Sequence, residues 1–166
     1  DLTRVIETDP SAVDSLMARG LAYHSKDDFG RAAEDYTRVL ARNPQDPNAM
    51  LNRGICRERL GDETGMREDY TRALAGMSEP TSALEFNNRA WLRFVLGQAE
   101  MALPDAERAV ALEPEDAVKQ STLGHVLEAL GRREEAIGRL RAALERKPDP
   151  YIAGKVHAAL ARLGAD

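Results

Sequence analysis

The feature that most constrains the fold of this chain is a small residue that returns at a nearly fixed interval. Gly20, Gly54, Ala90 and Gly124 are separated by 34, 36 and 34 positions, and each lies within a similar short run of residues. A period of this size is typical of stacked structural repeats, in which each unit buries its apolar face against its neighbours. The sequence therefore predicts one continuous repeat array.

Composition narrows the classes of function. The 166 residues include 23 basic and 28 acidic side chains, for a net charge of −5, which argues against binding to nucleic acid or to an anionic membrane surface. The sequence contains no apolar run long enough for membrane insertion. The single cysteine, Cys56, excludes an intrachain disulfide framework and a cysteine-based zinc site. We expect a soluble protein without cofactors, and the cytoplasm is favoured over the periplasm.

Local signals divide each repeat into two helices. Aspartate or serine precedes several apolar segments, as expected of residues that cap helix N-termini, and glycine or aspartate follows the first helix of each pair, as expected at a left-handed C-terminal position. The predicted caps are Ser11, Asp46, Ser82, Asp116 and Asp149. The predicted ends of the first helices are Asp27, Gly61, Gly97 and Gly131. First helices are predicted at about 13–25, 47–60, 83–96 and 117–130, and second helices at about 28–41, 62–76, 98–112 and 132–146.

The recurrent small residue indicates close packing between the two helices of a pair. A glycine inside a helix costs about 1 kcal/mol relative to alanine, so its recurrence requires a reason, and close approach of the second helix supplies one. Cys56 is predicted to be a small buried residue, and Met66, in place of an alanine, predicts looser packing. Pro104 predicts a kink or a late start in the second helix of the third repeat.

Both ends of the chain carry shorter helical segments. Leu2, Val5 and Ile6 have helical spacing before Asp9-Pro10, so residues 1–12 are predicted to end a preceding repeat; a native N-terminal capping helix is the alternative. Residues 151–166 are predicted to form a C-terminal capping helix with one apolar side.

The chain resembles the tetratricopeptide repeat family. The first unit carries the family's pattern of large, small and aromatic residues as Leu16, Gly20, Tyr23, Ala32, Tyr36, Val39 and Pro44. The later units keep Gly54, Tyr70, Ala73 and Pro80, then Phe86, Ala90, Ala102, Ala109 and Pro114, then Gly124, Ala136, Leu140, Ala143 and Pro148. Departures at Arg57, Arg93, Ala106 and Gln120 are expected to soften individual interfaces. The resemblance implies an all-α, right-handed superhelical array of antiparallel helix pairs, with repeats at 13–46, 47–82, 83–116 and 117–150.

The resemblance further implies a non-enzymatic scaffold that binds a protein or peptide segment in a concave groove lined by the first helices. Of the residues at family groove positions, those predicted to bind a partner are Met17, Leu21, Asn48, Leu51, Asn52, Ile55, Leu84, Asn87, Asn88, Trp91, Phe94 and His125. The family's carboxylate clamp is rejected because only Asn52 fits it. Asn52 and Asn88 are either two rungs that bond a peptide backbone or partners of neighbouring helices. Trp91 and Phe94 either form an apolar anchor site or bury against neighbouring helices.

The remaining chemistry-bearing residues give no catalytic or metal site. His24, His125 and His157 lack metal-ligand spacing and are predicted to be solvated. The segment from Arg132 to Lys147 carries charges at helical spacing, which predicts a solvated face. Two alternative functions stay open: self-assembly through the array ends, giving a homo-oligomer, and a recruiting or regulatory role within a larger enzyme.

Overall fold

The computed structural model describes residues 13–165, and every regular element in that range is a helix. The predictions for residues 1–12, including the cap at Ser11, lie outside it. Contacts divide the chain into two compact units, Asp1–Met77 and Ser78–Asp166. The first contains α1 (Val13–His24), α2 (Phe29–Arg42), α3 (Pro47–Leu60) and α4 (Glu63–Gly76). The second contains α5 (Ala83–Val95), α6 (Ala99–Leu112), α7 (Ala117–Ala129), α8 (Arg133–Glu145) and α9 (Pro150–Arg162).

The helix ends follow the predicted signals. The Asp46 side chain accepts a hydrogen bond from the Ala49 backbone N–H at 2.9 Å, and Ser82, Asp116 and Asp149 cap their helices in the same way. Gly61 ends α3 at φ 79°, and its N–H bonds carbonyl groups of the last turn. Gly97 and Gly131 share this left-handed conformation, as does Asp27. The predicted pairs of helices are therefore confirmed.

Each helix packs against the next in sequence within its unit. In the second unit α5 also contacts α7, and α7 contacts α9, so these three helices are neighbours. The apolar side of α9, which includes Val156 and Leu160, packs against Leu140 and Ala143 of α8, as predicted for a capping helix. Pro104 does not delay the start of α6, which begins at Ala99; the proline lies inside the helix at an exposed position.

The recurrent small residues lie opposite large buried side chains. A Cβ at position 20 would lie 2.7 Å from the Tyr36 ring, and one at position 124 would lie 2.7 Å from Leu140. The partner of each small residue lies 16 positions later in the sequence, and in the third pair both members are alanine, Ala90 and Ala106. The predicted close approach is confirmed, and the two residues of a pair share one fixed space.

A second contact with the same spacing was not predicted. In each of the first three pairs an arginine of the first helix forms two hydrogen bonds with a buried aspartate of the second. These pairs are Arg19–Asp35, Arg53–Asp69 and Arg89–Asp105, with donor–acceptor distances of 2.6–2.8 Å. Bidentate geometry makes such contacts specific, and the loss of one partner of a buried pair is strongly destabilising.

The two arginines at aromatic positions join these ion pairs. Arg57 contacts Asp69 at 2.8 Å, and Arg93 contacts Asp105 at 2.6 Å. Asp69 and Asp105 therefore each bond two guanidinium groups, and one of the two belongs to an arginine at a position where the family pattern has an aromatic residue. In the fourth pair Leu123 occupies the arginine position and packs in the apolar core instead.

Candidate functional site

The most developed surface of the second unit begins on α5. Leu84, Asn88 and Trp91 are spaced four and three residues apart, which places them on one face of the helix. Leu84 is 62% exposed, whereas Asn88 and Trp91 are half-buried. This face therefore presents an apolar residue, an amide and an indole in succession.

The equivalent face of α7 lies beside it. Val118, Thr122 and His125 follow Leu84, Asn88 and Trp91 by 34 positions. Val118 is 40% exposed, but Thr122 and His125 are buried. The rings of Trp91 and His125 are 6.2 Å apart, so the two faces meet at this step.

Four side chains from three helices form an aromatic cluster with one cation, here termed the Trp91 cluster: Trp91 and Phe94 of α5, His125 of α7, and Lys155 of α9. The Trp91 and Phe94 ring centroids are 5.4 Å apart, and Phe94 stacks on His125 at 5.9 Å. The Lys155 ammonium lies 4.6 Å from the centroid of the Trp91 ring and 4.6 Å from that of Tyr151. Both distances are within the range of a cation–π interaction.

Burial and a neighbouring carboxylate set the protonation state of His125. Its Nδ1 lies 3.5 Å from Oε2 of Glu128, which in turn accepts two hydrogen bonds from Arg162. Burial lowers the pKa of His125; Glu128 opposes this shift, and the nearby cations Arg162 and Lys155 reinforce it. The ring is thus neutral at pH 7, and the carboxylate favours the tautomer with the proton on Nδ1. His125 Nε2 is then an acceptor.

Two buried acceptors on these helices have no hydrogen-bond partner among residues 13–165. They are His125 Nε2 and Oδ1 of Asn87, and both residues are more than nine-tenths buried. Asn87 lies one turn before Trp91 on α5. An unpaired buried acceptor costs roughly 1–3 kcal/mol, so each is a feature that a bound donor would relieve.

The first unit has a simpler arrangement on its first helices. Leu21 of α1 is 48% exposed and Met17 is half-buried. On α3, Asn48 is exposed and Ile55 is half-buried. The Asn52 amide nitrogen lies 4.0 Å from the Met17 sulfur, a weak contact between the two helices.

Burial separates the predicted partner-binding residues into two groups. Leu51, Asn87 and His125 are only 5–6% exposed, and the other nine are exposed or half-buried. The prediction that the histidines are solvated is wrong for His125, because α7 is enclosed by its neighbours and Phe94 stacks on the ring. His24 is half-buried with its ring edge against Phe29, and His157 is exposed.

The contribution of α9 was missed in the sequence. Lys155, Tyr151 and Arg162 were assigned only to a capping helix, yet Lys155 reaches the Trp91 ring and Arg162 pairs with Glu128. A signal was present in the sequence: Ser121 follows the predicted groove residue Asn87 by 34 positions, and Lys155 follows Ser121 by the same interval. Extending the repeat register into the last helix would have placed it on this face.

Two kinds of feature are absent from the described part of the chain. No group of three or more histidine, cysteine, aspartate or glutamate side chains there has an arrangement that could hold a metal ion. None of the helices between residues 13 and 165 combines the length and apolar character needed to span a bilayer.

Comparison with known proteins agrees with the repeat geometry. Tetratricopeptide repeat family models match residues 20–80 and 121–150, together more than half of the chain. Small glutamine-rich tetratricopeptide repeat-containing protein 2 of Mycosarcoma maydis is 33% identical over 76 residues, which are 46% of this chain and 22% of that protein. The aligned region thus spans about a fifth of that relative's length.

Solved structures show the same fold at low sequence identity. YrrB, described as a tetratricopeptide repeat protein with an unusual peptide-binding site, superposes with a TM-score of 0.63 at 19% identity over 99% of this chain and 84% of its own. The structure of the human IFIT1 dimer with PPP-AAAA has a TM-score of 0.69 at 16% identity, and the match covers 99% of this chain and 42% of the IFIT1 chain. The structure of the APC/C hetero-tetramer Cut9–Hcn1 has a TM-score of 0.67 at 18% identity, and the match covers 99% of this chain and 32% of the other.

The fold and the matches define the class as an all-α helical repeat array. The chain belongs to the tetratricopeptide repeat family. Proteins of this family generally mediate protein–protein interactions, and the family is typically non-enzymatic.

Proposed function

We propose that this chain is a protein-binding module whose second unit holds a partner segment against the first helices α5 and α7. The observation that carries the proposal is the half-buried Trp91 ring, which lies beside Phe94 and His125 and leaves aromatic area for a side chain of the partner. Aromatic anchors in partly desolvated positions contribute most to many protein interfaces.

Exposed apolar residues extend the surface from this anchor. Leu84 and Val118, at equivalent positions of α5 and α7, are 62% and 40% exposed. Asn88 follows Leu84 by one turn, and its amide can both donate to and accept from a peptide backbone. The combination of apolar side chains and an amide suits a segment held by its side chains and its main chain together.

The relatives support a protein ligand without specifying it. YrrB is described as having a peptide-binding site, and the chain has the same fold. The partner of the present chain is therefore proposed as a protein or peptide segment, and no catalytic role is assigned to it.

A pair of matched variants tests the location. Leu84→Asp places a charge on the proposed surface, and Met101→Asp places one on α6 in the same unit, where Met101 is 53% exposed. Both residues lie at exposed positions, so both variants should fold. Each protein is used to capture partners from an extract of the source organism. We expect the wild type and Met101→Asp to capture the same proteins, and Leu84→Asp to lose them. Equal retention by the two variants would contradict the proposal.

Trp91 provides the direct readout because it is the only tryptophan in the chain. Titration with a captured partner should change its emission, whereas binding without any change would place the partner elsewhere.

In the first unit, Met17, Leu21, Asn48, Asn52 and Ile55 are proposed as further contacts. Leu21→Asp tests this proposal separately.

A further inference from the structure

We infer that the Trp91 cluster recognises a basic side chain of the partner, an arginine or a lysine, and that Lys155 occupies this place in the absence of the partner. The inference rests on the proposed function, because it assigns the chemistry of one contact on the same surface. It is carried by three observations: a cation already on the ring face, two buried acceptors without donors, and the charges around them.

The first observation is the position of Lys155. Its ammonium lies 4.6 Å from the centroids of both Trp91 and Tyr151, so a cation is held between two aromatic rings. The negative faces of indole and phenol attract cations, and a guanidinium group stacks on such faces as well. The ring pair therefore has the chemistry of a cation site. Lys155 lies on α9 and contacts Trp91 of α5.

The second observation is the unpaired acceptors. Nε2 of His125 and Oδ1 of Asn87 are buried and find no donor within the described range. A partner's guanidinium brings five N–H donors and an ammonium brings three, whereas a carboxylate brings none. The Lys155 ammonium bonds neither acceptor, so a partner's basic group would have to enter deeper than Lys155 does to donate to them while it contacts the aromatic rings.

The third observation is the local balance of charge. The charged groups facing His125 are Glu128 of α7 and the cations Arg162 and Lys155 of α9. Exchange of Lys155 for a partner cation leaves the number of charges around His125 unchanged. A carboxylate attracted by Lys155 would instead face aromatic ring faces and two acceptors, all of which repel it.

The test uses the full chain and two nearly isosteric probes. Acetyl-arginine methylamide carries the guanidinium, and acetyl-citrulline methylamide is its neutral counterpart. Lys155→Met removes the resident charge and keeps an apolar stem, and Lys26→Met removes an exposed lysine of the first unit as a control. Trp91 emission and the imidazole resonances of His125 report binding, and circular dichroism verifies folding.

We expect the arginine probe to bind Lys155→Met roughly tenfold more tightly than the citrulline probe does, from the magnitude of a cation–π contact. It should also bind this variant more tightly than the wild type or Lys26→Met, because the competing lysine is gone. Equal affinity for the two probes, or no response of Trp91 to either one, would overturn the inference. Tighter binding of acetyl-glutamate methylamide than of the arginine probe would overturn it in favour of an acidic ligand.

The two proposals fail in different ways. If a captured partner is lost with Leu84→Asp but binds unchanged after its own arginines and lysines are replaced by glutamine, the surface is correct and the basic contact is wrong. If the arginine probe binds as expected while Leu84→Asp retains every partner, the cation site stands and the partner-binding surface lies elsewhere.

Discussion

Replacing Gly54 by alanine tests whether the recurrent small residue is set by packing. Gly54 lies in the middle of α3, where alanine would ordinarily stabilise the helix. The added Cβ would, however, lie 2.6 Å from Cδ1 of Tyr70 and still closer to Cε1. Tyr70 is fully buried and its hydroxyl donates a hydrogen bond to Glu58, so the ring is held in place. The helices α3 and α4 must therefore separate.

The expected loss follows from two opposing effects. Overpacking a close-packed core costs about 1–3 kcal/mol, and contact with two atoms of a rigid ring puts this site near the upper limit. The gain in helix propensity on replacing glycine by alanine is about 1 kcal/mol. We expect the free energy of unfolding to fall by about 2 kcal/mol.

Gly30→Ala is the matched control in the same unit. Gly30 lies in the first turn of α2, is exposed, and has no neighbour within 4 Å of an added Cβ. The free energy of unfolding of the Gly30→Ala variant should rise by about 0.5 kcal/mol. Urea unfolding followed by circular dichroism measures both variants. Gly54→Ala should become neutral in a Tyr70→Ala background, where the pair resembles Ala90–Ala106. Equal stabilisation by Gly54→Ala and Gly30→Ala would refute the packing argument.

Three further predictions concern buried polar and titratable groups. Asp69→Asn weakens the bonds to Arg53 and Arg57 and should lower the free energy of unfolding by about 3 kcal/mol, near the lower limit for breaking a buried pair; urea unfolding showing no loss would contradict this. Because burial lowers the pKa of His125, the unfolded chain binds more protons below its usual value of 6.5, so stability should fall as pH decreases from 6.5 towards the lower folded value. His125→Gln should reduce this pH dependence in thermal melts, and an identical profile would show that other groups cause it. Burial raises the pKa of the Cys56 thiol to about 11, so this group should react with a thiol reagent at pH 8 only after unfolding; rapid reaction of the native protein would contradict its burial.

The helix boundaries were predictable because their signals are local. Asp46 followed by Pro47 begins a helix through its own side chain and fixed backbone angle, whatever the rest of the chain does. Gly61 ends that helix through its left-handed conformation. These residues act within one turn of their own position, so the sequence contains all the information needed.

The Arg–Asp pairs could not be recognised in the same way, although their spacing of 16 residues is visible in the sequence. Arg53 and Asp69 lie on different helices, and charged residues at such positions are usually solvated. Only the antiparallel packing of α3 on α4 buries Asp69 to 1% exposure beside the guanidinium. The glycine spacing predicted close packing between the helices of a pair, but it did not identify the charges that this packing would enclose.

The position of the Trp91 cluster follows from what the packing leaves available. In each pair, the contacts spaced 16 residues apart determine which face of the first helix packs on the second helix. A different face of the first helix is not used in this packing, so its residues can vary. In the second unit, that face carries Trp91 on α5, where it is half-buried, and His125 on α7, where it is buried. A site at this step is therefore half-buried, with enough exposure to admit a partner and enough burial to strengthen each polar contact. Lys155 reaches the Trp91 ring from α9, so this helix contributes to the proposed recognition surface and also packs against the apolar core.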